Sequence, residues 1–147
     1  MVEESQLGRW PISTTLSVQW GEMDSFNHVN NTVYLRWFET ARMVYFEKLE
    51  LEQKLIKDNI GPILARATVD FKIPIKFPDT VTVKATVSRF GKTSMVMEYK
   101  LFCQSRPNEI AAQGDCVIVF INYKTGQKVL IDENTKNKVY ALEMTAT

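Results

Sequence analysis

Asp24 and His28 stand four residues apart in the segment Asp24-Ser25-Phe26-Asn27-His28-Val29-Asn30-Asn31, and His28 is the only histidine among 147 residues. A carboxylate near an imidazole can move a proton or attack a carbonyl carbon. The segment runs straight into an almost wholly apolar stretch, residues 32–49. If that stretch is a helix, its first amides and the positive end of its dipole face the same loop, where they would stabilise a developing oxyanion. Acid, imidazole and free amides together suit acyl chemistry.

Each of these residues also has a structural role open to it. Loop aspartates commonly close Asx-turns, and a histidine can pin a loop by hydrogen bonds to backbone. Asn30 or Asn31 can cap the helix. As a site residue, Asn31 would instead present its backbone N–H to the reacting oxygen. Glu39 and Arg42, one helical turn apart, read as a structural ion pair. The segment Arg89-Phe90-Gly91-Lys92-Thr93-Ser94 joins cations, a glycine and hydroxyls; it is either a solvated hairpin turn or a phosphate-holding one. Tyr34, Trp37, Phe38 and Tyr45 are core residues first and acyl-pocket lining second.

Composition removes other chemistries. One histidine and two cysteines cannot build a His-rich zinc site, and a Cys₄ site would need other chains. Glycine-rich nucleotide loops and the nucleophile elbow of serine hydrolases are absent from the sequence. A net charge of +1 gives no electrostatic footprint for nucleic acid. No apolar run reaches the ~20 residues of a membrane span. The first six residues are acidic and lack a signal peptide's apolar core, which predicts a cytoplasmic protein. Cys103 and Cys116 fall in apolar runs and read as buried reduced thiols.

The elements that must position the loop follow from periodicity. The length predicts one domain, 1–147, with residues 1–10 as a loose leader and 132–147 as a tail. Leu16, Val18 and Trp20 alternate with polar residues, predicting a strand over 12–20. Residues 32–49 form a helix that leaves only Arg36, Thr40, Met43 and Glu47 for water, so other structure must wrap it. Residues 50–59 read as a shorter polar helix or loop. The period then becomes two. Odd positions from Ile63 to Phe77 predict a long strand with one buried face, ending near Pro74 at a bulge or edge. Strands follow with Val81, Val83, Ala85 and Val87 inward, then Met95, Met97, Tyr99 and Leu101. A central strand spans 115–123 and a short last one 128–131. Tight turns impose antiparallel pairing. The economical packing is α+β: one curved antiparallel sheet around one helix. Its open sheet face and edges predict a homodimer or homotetramer.

The pattern Asp24-x-x-x-His28-Val29-Asn30-Asn31, followed by Tyr34-Leu35-x-Trp37-Phe38-Glu39-x-Ala41-Arg42, resembles the hotdog-fold acyl-CoA thioesterases of the 4-hydroxybenzoyl-CoA thioesterase type. The resemblance implies a hotdog fold of five or six strands around the helix. It implies hydrolysis of an acyl-CoA to free acid and coenzyme A, which is part of the substrate, with no separate cofactor and no metal. Asp24 matches the catalytic aspartate, nucleophile or general base, and the Asn31 amide matches the group that polarises the carbonyl. His28 and Asn30 match loop-shaping positions, and Tyr34 falls in the substrate-binding motif. The Gly91-Lys92-Thr93 turn falls where related enzymes place cations for the nucleotide of coenzyme A. Family members assemble as dimers or tetramers with sites at the dimer interface. Where many carry glycine before the motif histidine, this chain has Asn27, a residue that tolerates positive φ. Alternatives on the same fold are an acyl-carrier-protein thioesterase, a dehydratase pairing His28 with Glu39, and a non-enzymatic acyl-CoA binder.

Overall fold

Alternating apolar residues produce one antiparallel sheet. In the computed structural model, which describes residues 6–146, strands β1 (Ile12–Ser17), β2 (Ile60–Ala67), β4 (Thr80–Phe90), β5 (Ser94–Cys103) and β6 (Ala112–Asn122) lie in the order β1-β4-β5-β6-β2. The two-residue β3 (Asp70–Phe71) pairs with the far end of β6. Helices α1 (Asn31–Lys48), α2 (Leu51–Asp58) and α3 (Glu133–Glu143) complete the chain. This is the α+β hotdog arrangement, a sheet curled around α1.

The inward faces of β4 and β5 are those the alternation marks. Val81, Val83, Ala85, Val87, Met95, Met97, Tyr99 and Leu101 are all buried. They meet Tyr34, Trp37, Phe38, Ala41 and Tyr45 of α1 in a single core cluster. Burying each large side chain contributes roughly 1.5–3 kcal/mol. Phe38 stacks on Tyr99 with ring centroids 4.8 Å apart. Gly114 on β6 makes that approach possible, since a Cβ there would lie 2.1 Å from the Thr68 carbonyl oxygen and 3.0 Å from the Phe38 ring. Cys103 and Cys116 are free and buried, and burial pushes the Cys116 thiol above its ordinary range.

Several expectations are corrected. The strand expected over 12–20 stops at Ser17; Trp20 opens a 3-10 turn and points to solvent. The long strand expected over 63–77 is two pieces, and Ile63, Leu64 and Phe71 are exposed while Ile73 and Ile75 are buried. A register shift between Leu64 and Arg66 breaks the two-residue period, and β2 is a sheet edge with no neighbour on one side. The short last strand over 128–131 is only an isolated bridge between Lys128 and Ile121. The segment expected as a C-terminal tail, 132–147, includes α3 in its described part, with Val139 and Glu143 buried. The leader reading also fails from Leu7 onward: Leu7 is buried and the Gly8 amide donates to the Val87 carbonyl at 2.9 Å. Residues 1–5 and 147 lie outside the described part. The water-facing side of α1 is wider than expected, with Leu35 and Glu39 also exposed.

Candidate active site at the start of the long helix

The loop before α1 is held by its own backbone. Met23 and Val29 bridge, the Asp24 amide donates to the His28 carbonyl at 2.8 Å, and the Asn27 amide donates back to the Asp24 carbonyl at 3.0 Å. Asn27 takes φ +61°, the left-handed conformation that glycine or asparagine accepts most readily. The Val29 amide ties the loop to the Ile75 carbonyl, and the Asn30 amide to the Glu22 carbonyl. Glu22 also accepts from the Gln19 amide at 2.6 Å and pairs with Arg36 at 2.9 Å. Sequence reasoning passes over Glu22, whose only signal is a charge two residues before Asp24.

The two carboxylate oxygens of Asp24 have different surroundings, and the turn role is the one observed. Its Oδ1 accepts from the Phe26 amide at 2.9 Å and the His28 amide at 3.4 Å, an Asx-turn. Among the described residues Oδ2 has no hydrogen-bond donor, and the side chain lines an open cleft of about 350 Å³. His28, Asn31 and Tyr34 line the same cleft, closed on the far side by Phe71, Lys72, Ile73 and Pro74. The His28 ring makes no hydrogen bond to a described residue; the loop is pinned through its backbone instead. Asn30 is the cap: its Oδ1 accepts from the Thr32 amide at 3.0 Å. The Asn31 side chain is therefore not the cap, and the Asn31 amide, first of the helix, remains a donor without an intrahelical acceptor. Burial holds the Tyr34 phenol above its usual range, so at neutral pH it is a donor and not a base.

A seam between α1 and residues 62–68 lies further along the helix and shares no lining residue with this cleft. A chamber of about 180 Å³ follows, lined by Thr32, Phe38, Glu39, Arg42, Leu64 and Thr68 among others. It shares Glu39, Arg42 and Leu64 with a groove of about 660 Å³ that reaches Met43, Phe46, Glu47, Leu55 and Ile118. From Thr32 to Glu47 the chamber and groove follow α1 for about 22 Å. Glu39 and Arg42 do form the expected ion pair, at 3.7 Å, and buried Arg42 also donates to the Tyr99 hydroxyl at 3.2 Å. Trp37, Phe38 and Met95 are core residues; of these only Phe38 touches the chamber.

Gly91, Lys92 and Thr93 form the turn between β4 and β5, as expected. The structure does not bring them to Asp24. The Asp24 loop leaves β1 where Ser17 faces Thr80, the first residue of β4, and the turn follows Phe90, its last. Eleven residues of strand separate the two ends, about 33 Å at ~3.3 Å per residue.

Comparison with known proteins places this geometry among thioesterases. Residues 18–139 match the family model described as the thioesterase-like superfamily. The long-chain acyl-CoA thioesterase FadM of Escherichia coli K12 is 20% identical over 128 residues, 87% of this chain and 96% of that protein. A thioesterase from Thermus thermophilus, solved with coenzyme A and zinc, superposes with a TM-score of 0.81 at 28% identity, covering 93% of this chain and 97% of that one. The DHNA-CoA thioesterase of Staphylococcus aureus shares the fold, with a TM-score of 0.77 at 24% identity over 92% and 95% of the two chains.

Proposed function

Because the chain belongs to the thioesterase-like superfamily, we propose that it hydrolyses acyl-CoA thioesters to a free acid and coenzyme A, with Asp24 and the Asn31 amide as the working groups. The observation that carries this reading is the pairing of an undonated Asp24 Oδ2 with the first free amide of α1 at one cleft. The thioester carbonyl sits against the Asn31 amide. Asp24 Oδ2 takes a proton from water as the water oxygen attacks, or attacks the carbonyl carbon itself. Charge collects on the carbonyl oxygen, where one well-placed amide is worth ~3 kcal/mol. The C–S bond then breaks and the electron pair leaves with sulfur. In the attack route, water then cleaves the mixed anhydride. Thiolate is a good leaving group, so one carboxylate suffices. A single turnover in ¹⁸O-water that leaves ¹⁸O in Asp24 establishes direct attack, with water cleaving the anhydride at the aspartyl carbon; the base route puts ¹⁸O only in the product acid.

The acyl group runs along the seam beside α1. The length of that seam, and the long-chain substrate in the name of the FadM relative, support a long acyl chain. Within one subunit Lys92 lies at the other end of the sheet. It therefore serves the nucleotide of a substrate seated in the cleft of a second copy. The test is thiol release from acyl-CoAs of increasing chain length, run beside the matching acyl-carrier-protein thioesters. Turnover of acyl-CoA that rises with chain length is the expected result. Turnover of carrier thioesters alone, or tight acyl-CoA binding without hydrolysis at any length, would overturn it.

A further inference from the structure

A carboxylate is buried where no chemistry described above uses it. Glu143, in the last turn of α3, has no exposed surface. Its Oε1 accepts from the Thr86 hydroxyl at 2.5 Å and the Arg9 amide at 2.8 Å. Its Oε2 accepts from the Tyr45 hydroxyl at 2.6 Å and the Val87 amide at 3.2 Å. All four donors are uncharged, and they come from the N-terminal segment, α1 and β4. A buried carboxylate carries a large desolvation cost, offset here by four hydrogen bonds. The location gives the arrangement its meaning. β1 covers β4 only as far as Ala85, opposite Ile12. Beyond that point Thr86 and Val87 would leave an unpaired strand edge, and Glu143 with Gly8 supplies the missing partners.

The same C-terminal segment then holds the hairpin that continues from Val87. A register shift follows between Val87 and Arg89. The Phe90 ring meets Tyr140 edge to face at 5.6 Å, and the Lys136 ammonium lies 5.8 Å from the Phe90 centroid. The Ile131 amide donates to the Lys92 carbonyl at 3.0 Å. The turn that carries Lys92 is thus gripped from one side by residues 131–140, and Glu143 anchors their helix.

We propose that Glu143 is a positioning residue: it latches α3 to β4 so that residues 131–140 fix the Lys92 turn where it binds the nucleotide end of coenzyme A. The inference rests on the nucleotide role given to Lys92 above. Its signature is a discrimination between two substrates with the same acyl group, acyl-CoA and acyl-pantetheine, which lacks the nucleotide. Glu143→Gln replaces one acceptor oxygen by an amide nitrogen that cannot accept from the Arg9 or Val87 amides. It should raise KM for acyl-CoA several-fold, leave KM for acyl-pantetheine unchanged, and leave kcat unchanged for both. Tyr140→Leu, which loosens the grip on Phe90 without disturbing the buried carboxylate, should do the same to a smaller extent and decides the matter if Glu143→Gln does not fold. An equal change in both KM values, or no change in either, overturns the latch. Lys92→Ala is the control for the reading beneath it. If Lys92→Ala raises the acyl-CoA KM selectively and neither other variant does, only the latch fails. If Lys92→Ala leaves the discrimination untouched, the nucleotide role of Lys92 fails and the latch with it.

Discussion

Asp24 closes a turn with one carboxylate oxygen and leaves the other for the proposed chemistry. Its Oδ1 closes the turn over Phe26 and His28, which fixes the direction of Oδ2. That is preorganisation by local hydrogen bonds, and it is legible in sequence because every participant lies within eight residues. Asn27 is part of the same device. Its left-handed backbone lets the chain reverse between Asp24 and His28. Asn27→Gly should leave stability within a few tenths of a kcal/mol, whereas Asn27→Val should cost about 1–2 kcal/mol, the penalty of a side chain in that conformation. Urea unfolding measures both. If Asn27→Val is as stable as the parent, the loop does not depend on this conformation.

The elements divide cleanly by what buries them. The strand alternations of β4 and β5 and the apolar character of α1 can be read directly, because these faces are buried by the chain itself. The stretch 63–71 misleads because β2 is a sheet edge among the described residues, and because the shift at Leu64–Arg66 flips the face. The α3 segment offers only the short apolar run Val139–Leu142; Val139 enters the core, and Glu143 adds a polar anchor whose burial only the tertiary structure reveals. The start of α3 is held by charge. Burial alone would raise the Asp132 carboxyl, but the Lys54 ammonium and the Thr135 hydroxyl and amide bring it down to about 2 from 3.8. A depressed carboxyl stabilises the fold above its unfolded value and loses that contribution as pH falls through the folded one. The protection factors of the α3 amides should therefore fall between about pH 4 and 2. Asp132 is about half exposed, so the effect is modest. Asp132→Asn keeps a competent cap and should flatten the acid dependence; an unchanged profile would assign the acid response to other groups.

At the scale of the molecule, the proposed reaction divides between the two ends of the sheet. The Asp24 cleft lies at the start of β4 and the Lys92 turn at its end. Residue patterns mark the loop before α1 and the turn after β4 as a loop and a turn, yet give no hint that a strand's length lies between them. β2 offers an unpaired edge with Ile63 and Leu64 exposed beside the 660 Å³ groove, which is the natural place for a second copy to pair. Leu64→Lys puts a charge on that edge and should shift the protein toward monomer in light scattering, with loss of acyl-CoA turnover. A variant that stays assembled would move the interface elsewhere. No helix among the described residues is long and apolar enough to cross a membrane.

The most direct measurement is thiol release from a long-chain acyl-CoA by Asp24→Asn, with binding of the same substrate recorded in parallel. The amide keeps an oxygen for the turn over Phe26 but can neither take a proton nor attack. Turnover should fall by at least about a hundredfold, the contribution expected of a positioned base, while folding and substrate affinity stay near those of the parent. An Asp24→Asn protein that turns over at the parent rate would contradict the account at its centre.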